Sequence, residues 1–234
     1  MCLGVVAAFD RETRMLTQAA GVASESQGQA LVAYAGMGAN RARVAGERLL
    51  NSGATALLSW GVAAALDRGL APGGLLLPTA IIDADLCEFA AAHDWHNRLC
   101  ERLTGKFVVR TEPLAESLGV LNRPAQKRAL LLRSSAIAAD MESAALAALA
   151  RTANVPFVAI RAVSDTASAR VPEWLNGAID SAGRLSMANT VTQLLLRPTD
   201  WAAVGRLALG FHAARVTLTG VARRIGLGLA AAIQ

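Results

Sequence analysis

Acidic side chains close two apolar segments between Ala138 and Asp165. The first segment reads Ala138-Ala139-Asp140-Met141-Glu142-Ser143-Ala144-Ala145 and runs on, Ala-rich, to Ala150. Asn154-Val155-Pro156 then leads into Phe157-Val158-Ala159-Ile160-Arg161-Ala162-Val163-Ser164-Asp165. This reads as a short strand, a small-residue helix, a turn and a second strand. Carboxylates delivered at two strand ends, joined by one closely packed helix, are placed to act on a single small ligand in an open α/β fold. Asp165 ends an apolar strand, where loss of water favours the protonated carboxyl and lets it donate a proton. An ionised Glu142 can accept two hydroxyl hydrogen bonds and stabilise a neighbouring positive charge. Each acid also has a plainer reading: Asp165 as the cap of a following helix, and Glu142 as an acid facing the positive end of its own helix.

The elements that must position these acids follow from the apolar pattern. Leu3 to Phe9, Ala30 to Ala35, Ala56 to Trp60, Leu75 to Ile82 and Phe107 to Thr111 read as strands bounded by turn residues. Asn40 is placed to cap a helix over Arg41 to Asn51, and Ala125 to Arg133 and Ser186 to Leu196 are further helices. Asp83 to Gly105 is partly helical, Arg170 to Leu185 is loop-rich, and Trp201 to Gln234 is a long helix punctuated by glycines. Of 234 residues, 53% are hydrophobic and only 4% aromatic, so the core must be built from Ala, Leu and Val. A chain of this size and composition forms one α/β domain.

The net charge is +5. The basic residues are nearly all Arg (only Lys106 and Lys127 are Lys), they are spread along the chain, and no aromatic residues interleave with them, so nucleic acid is not an expected partner. Cys2, Cys87 and Cys100 make no disulfide framework and indicate a reducing, cytoplasmic setting. Acidic and basic residues at 10–12 come too early for a secretory signal, and no apolar run is long enough to span a membrane. Cys87, His93, His96 and Cys100 have a spacing that matches no common zinc module, so no metal is expected.

The stretch from Asp140 to Asp165 resembles the purine-nucleoside phosphorylase and methylthioadenosine/S-adenosylhomocysteine nucleosidase family, in which an Asp-Met-Glu segment holds the ribose and a later Ser-Asp pair meets the purine. The resemblance implies a single domain with a central twisted mixed sheet flanked by helices over residues 1–197, and a helical C-terminal extension over 198–234. It implies cleavage of a ribose–purine bond through an oxocarbenium-like sugar, analogous to the two-carboxylate logic of glycoside hydrolysis. Asp165 would protonate the departing base, with Ser164 beside it. Glu142 would hold the ribose hydroxyls against the apolar wall of Met141. The segment Gly4-Val5-Val6-Ala7-Ala8-Phe9-Asp10-Arg11-Glu12 is similar to the family's opening strand, and Glu12 falls on the acidic position that activates water in the nucleosidases.

Gly36-Met37-Gly38 stands where the family has a Gly-x-Gly turn, and with Arg41 it is the candidate phosphate cradle. A plain strand-to-helix turn is the other reading. Arg161, inside an apolar strand, is a further ligand-side candidate that also calls for a fixed partner. Ser59-Trp60-Gly61-Val62-Ala63-Ala64-Ala65 aligns with a strand-to-helix turn that lines the substrate site through Gly61 and Val62. Here Val62 replaces a hydroxyl, and Ala64 and Ala65 replace glycines. No Gly-Asp-Pro-x-Arg phosphate motif is present. The resemblance implies no cofactor, allows phosphate as a co-substrate, and implies a homo-oligomer.

From Leu194-Leu195-Leu196-Arg197-Pro198 onward the chain is similar to the hopanoid-associated branch, which removes adenine from the lipid-linked nucleoside adenosylhopane. After Asp200 no acidic residue occurs, while Arg206, Arg215, Arg223 and Arg224 remain. A helix of this kind can touch the anionic inner face of a membrane or pack on its own protein. The expected activity is therefore release of adenine from a 5′-substituted adenosine. The alternative is a catalytically silent protein of this fold that binds a lipid or a partner through its tail.

Overall fold

The computed structural model describes residues 2–8, 30–175 and 196–226. Its centre is a mixed sheet. Strands β1 (Leu3–Ala7), β2 (Ala30–Tyr34), β3 (Ala56–Ala65) and β10 (Phe157–Asp165) run parallel, in the order β2-β1-β3-β10. Beyond them lie the short strands β4 (Leu75–Leu76), β5 (Ala80–Ile82), β6 (Glu88–Ala90), β7 (Val109–Arg110), β8 (Leu114–Glu116) and β9 (Ala138–Asp140). The sheet order through these is β6-β5-β8-β9-β3-β10-β4-β7.

β3 decides the topology. Its first half, Ala56 to Trp60, pairs with β1, and its last residues, Ala64 and Ala65, pair antiparallel with β9. The other edge pairs with β10 along most of its length. The run Val62 to Ala65 therefore continues the strand rather than forming the strand-to-helix turn expected from the resemblance. Its small side chains suit a crowded position between two sheet neighbours. The single strand expected over Leu75 to Ile82 is two strands. Pro78 has no N–H for a sheet ladder, and the amides on either side bond to Arg110 O and Thr111 O across the gap, at 2.8 Å each.

Helices cover both faces of the sheet. α1 (Ala39–Asn51) and α4 (Ser143–Ala153) pack on one side, and α2 (His93–Leu103) and α5 (Trp201–Ile225) on the other. α3 (Pro124–Ser134) borders the β8–β9 region. Burial on both faces explains why every residue of β10 is buried and why it reads as a continuous apolar run. Val158, Ile160 and Ala162 face the α2–α5 side, and Phe157, Ala159 and Val163 face the α1–α4 side, the period of two that a strand imposes. The Ala-rich run of α4 allows a close helix contact: a Cβ on Gly46 of α1 would stand 2.7 Å from Leu149 and 2.8 Å from Leu146.

The C-terminal helix belongs to the core. Leu207, Gly210, Ala214, Leu218, Val221, Ala222 and Ile225 form its buried stripe, at the spacing of one helix face. Trp174 Nε1 donates to Asp200 Oδ2 at its start (2.9 Å), and Thr217 Oγ1 donates to Gly73 O (2.7 Å). The helix expected after residue 198 is present, and its buried stripe joins the core on one side of the sheet. The helix expected over Ser186 to Leu196 lies outside the described residues except for its last position.

Gly210 marks the tightest approach of this layer. A Cβ there would fall 2.0 Å from the carbonyl oxygen of Ser164, beside Asp165. Gly210→Ala is expected to destabilise by about 1–3 kcal/mol, because overpacking against backbone outweighs alanine's helix preference. Gly205 of the same helix has nothing within 4 Å of its would-be Cβ, so Gly205→Ala should stabilise by up to about 1 kcal/mol. Urea unfolding of the two variants checks the opposite signs.

Candidate active site

The strand ends bring the two acidic segments together. Ala64 of β3 pairs with Ala139 of β9 on one edge and with Asp165 of β10 on the other. At about 4.8 Å per strand, Ala139 and Asp165 have backbones roughly 10 Å apart. Asp140, Met141 and Glu142 follow directly from β9, which runs antiparallel to β3, and lead into α4.

Glu142 sits at the start of α4 and is 8% exposed. Its Oε1 accepts the Gly38 N–H at 2.8 Å, and its Oε2 accepts the Met141 N–H at 3.3 Å. Burial pushes its carboxyl up to about 7, the nearby Asp140 charge adds to this, and Arg161 with the two amides opposes it. A carboxyl titrating near neutrality can hold ribose hydroxyls as an anion at cellular pH. Met141 is half-buried beside it.

Gly38 has φ 101°, a conformation that favours glycine, and it stands as the residue before α1. The Gly36-Met37-Gly38 turn therefore presents its Gly38 amide to Glu142, an anion supplied by the chain itself. Gly36 is buried, and Arg41 is exposed in the first turn of α1. α1 begins at Ala39, not after a cap at Asn40.

Asp140 and Arg161 form the buried framework beneath Glu142. Arg161 Nε donates to Asp140 Oδ2 (2.6 Å), and its Nη2 donates to Ser59 Oγ (2.6 Å) and Ser143 Oγ (3.0 Å). Ser143 Oγ donates to Asp140 Oδ2 (2.5 Å), and Ser143 N donates to Asp140 Oδ1 (3.1 Å), which satisfies the first amide of α4. Arg161 is thus held wholly by the fold. It positions the Asp140–Glu142 segment. Gly61 lies opposite it in register and is buried, and the neighbouring Val62 is half-buried opposite Ala162.

A bulge aims Asp165. The β3–β10 register shifts between Val163 and Asp165, leaving Ser164 as the extra residue, and such a bulge turns the strand and redirects the next side chain. Ser164 Oγ lies 2.7 Å from Asp165 Oδ1 and 3.2 Å from Ala63 O. The other oxygen, Oδ2, pairs with the ammonium of Lys127, which also donates to Thr166 O at 2.7 Å. Asp165 is therefore buried as expected, but it is not a solitary carboxyl. It shares an ion pair.

Lys127 escapes a reading of the sequence because its neighbours Arg123, Arg128 and Arg133 give α3 the look of a solvated helix. Its place on the stripe Lys127, Leu130, Leu131 and Ser134 is the signal that points inward. Asp140 and Ser59 stood inside the motifs without a stated tie to Arg161, although a buried Arg161 required partners of their kind. Glu12 lies outside the described residues. His96 Nε2 is 2.8 Å from Leu77 O and Cys100 Sγ is 3.9 Å from His96 Nδ1, so these side chains serve local packing; Cys87 and His93 are exposed.

Residues 11–195 match the phosphorylase superfamily. Comparison with curated proteins gives no match. Among solved structures, the chain is similar to the 5′-methylthioadenosine/S-adenosyl homocysteine nucleosidase of Helicobacter pylori (17% identity, 94% of this chain and 97% of that one, TM-score 0.71). It is similar to the native futalosine hydrolase of Helicobacter pylori (16% identity, 100% and 97% coverage, TM-score 0.71). It is also similar to the 5′-methylthioadenosine/S-adenosylhomocysteine nucleosidase of Colwellia psychrerythraea, solved with adenine (15% identity, 100% and 96% coverage, TM-score 0.71).

Proposed function

The chain belongs to the phosphorylase superfamily, and from that premise we propose that it cleaves the N-glycosidic bond of a 5′-substituted adenosine and releases adenine. The observation that supports this reading is the pairing of Ala64 with both Ala139 and Asp165, which brings the two acidic segments to neighbouring positions of one sheet. The structural relatives named for nucleosidase and futalosine hydrolase activity support it.

Three tasks follow from the chemistry. Glu142, ionised, accepts the ribose hydroxyls and stabilises the cationic sugar as the bond stretches. Asp165, aimed by the Ser164 bulge, faces the imidazole side of the purine, where the departing base takes up a proton. Water or phosphate attacks the opposite face of the sugar, with Glu12 as the activating acid on the water route.

The proposed 5′-substituent is a hopanoid lipid. In support, α5 exposes both apolar and basic side chains: Trp201 is 57% and Leu209 71% exposed, and Arg206, Arg215 and Arg223 are exposed as well. Among the described residues no helix is long and apolar enough to cross a membrane, so the contact proposed is peripheral. A homo-oligomer completes the reading.

The test is product analysis by chromatography. Purified protein is incubated with soluble 5′-substituted adenosines and with a lipid-linked adenosine in anionic vesicles. Adenine should appear in both, faster from the vesicles, and Asp165→Asn should lower the rate by about 10²–10⁴-fold. Adding phosphate decides the nucleophile: a sugar 1-phosphate marks phosphorolysis, and the free sugar marks hydrolysis. Absence of adenine from every substrate overturns the reading.

A further inference from the structure

Lys127 is fully buried, at 0% exposure, and the proposed reaction leaves it unused. Its ammonium pairs with Asp165 Oδ2 and donates to Thr166 O at 2.7 Å, at the point where the bulge redirects Asp165. Burying an ammonium is costly, and a buried ion pair adds little stability over apolar residues of the same volume. The pair is thus poorly explained as a device for holding the fold. It also creates a difficulty for base release, because a carboxylate paired with an ammonium has no proton of its own to give.

We propose that Lys127 is a positioning residue that holds the proton Asp165 passes to the departing purine. This rests on the function proposed above. As the bond from the sugar carbon to the purine breaks, its electron pair leaves with the base. A proton moves from Lys127 Nζ to Asp165 and from Asp165 to the imidazole nitrogen of the purine. The base departs neutral, Asp165 is again a carboxylate, and Lys127 is a neutral amine. The Thr166 carbonyl still accepts one of its N–H bonds, which keeps the amine in place. Solvent returns the proton once the base has left. The sugar cation is taken by the nucleophile, whose own proton goes to solvent. Ser164 Oγ, 2.7 Å from Oδ1, holds the other carboxylate oxygen through these transfers.

The experiment separates proton delivery from folding by changing the leaving group. Wild type, Lys127→Met, Asp165→Asn and the double variant are assayed on a 5′-substituted adenosine and on the 4-nitrophenyl glycoside of the same 5-substituted ribose. Nitrophenolate departs without a proton. Lys127→Met is expected to lose about 100-fold or more in kcat on the adenosine, with KM changed less than about threefold, and less than about fivefold on the nitrophenyl glycoside. The double variant is expected to match Asp165→Asn alone, because Lys127 acts through Asp165. Nucleoside cleavage by Lys127→Met within about tenfold of wild type overturns the proposal, and so does equal loss on both substrates by a folded variant. If Lys127→Met does not fold, the double variant removes both buried charges and still decides: a further fall of about tenfold below Asp165→Asn overturns the proposal. Wild-type protein that cleaves neither substrate defeats the function reading itself, and this proposal with it.

Discussion

Glu142→Gln is expected to slow base release sharply and, above neutral pH, to make the protein more stable than the wild type. The carboxyl titrates at about 7 in the folded chain because it is buried beside the charge of Asp140. The ordinary carboxyl value is 4.5, so folding holds the proton more tightly than the unfolded chain does. The associated stability is full below pH 4.5 and is lost as pH rises through 7. Ionising this buried group therefore costs at most about 3 kcal/mol at pH 8, and the functional anion is maintained against that cost. Glutamine removes the cost but keeps one acceptor oxygen. The shorter Gly38 contact can be retained, while the 3.3 Å contact to Met141 is the weaker one to lose. A net gain of about 1–3 kcal/mol at pH 8 should shrink toward zero at pH 5. Thermal melts at the two pH values check this, and parallel curves for the two proteins would exclude it. The wild-type rate at low substrate should rise with pH through about 7 as the carboxylate forms. In the variant kcat should fall about 10²–10³-fold, the usual effect of deleting one preorganised electrostatic partner.

Arg161→Met carries the largest expected loss of stability, about 3–5 kcal/mol, because it leaves Asp140 buried without its cation. Ser59 and Ser143 would lose the shared guanidinium donor at the same time. Adding Asp140→Asn should recover much of the loss. The amide keeps an oxygen for the Ser143 N–H and no longer brings an unpaired charge into the core. Activity reports the same network from another side. Arg161 lowers the Glu142 carboxyl and Asp140 raises it. The single variant should therefore shift the acidic limb of the rate profile upward, and the double variant should shift it back. Urea unfolding read beside pH–rate profiles tests both effects. A single variant with wild-type stability would show that the network does not hold this corner of the sheet.

Much of this site was legible as pattern. The nine-residue apolar run of β10 and the Ala-rich α4 have periods that differ between strand and helix, and the carboxylates at their ends were visible at once. The dependence of Arg161 on a partner was also evident, because a guanidinium inside an apolar strand has no other stable arrangement. The partner's identity was not evident. Asp140 lies on a strand two positions away in the sheet, and local sequence carries no record of which distant strand pairs with which. The same limit hid the run Val62 to Ala65, whose small residues suit a turn or a crowded strand equally well.

Residue order alone determined the two acidic strand ends, the α/β layering and the family likeness, since these arise from hydrophobic period and from residues close along the chain. Tertiary structure decided what each charge faces. It set Lys127 against Asp165, the Gly38 amide against Glu142, and the C-terminal helix against the Ser164 bulge. Those contacts join segments far apart in the chain, and their energies depend on burial and on partners that exist only once the sheet has closed.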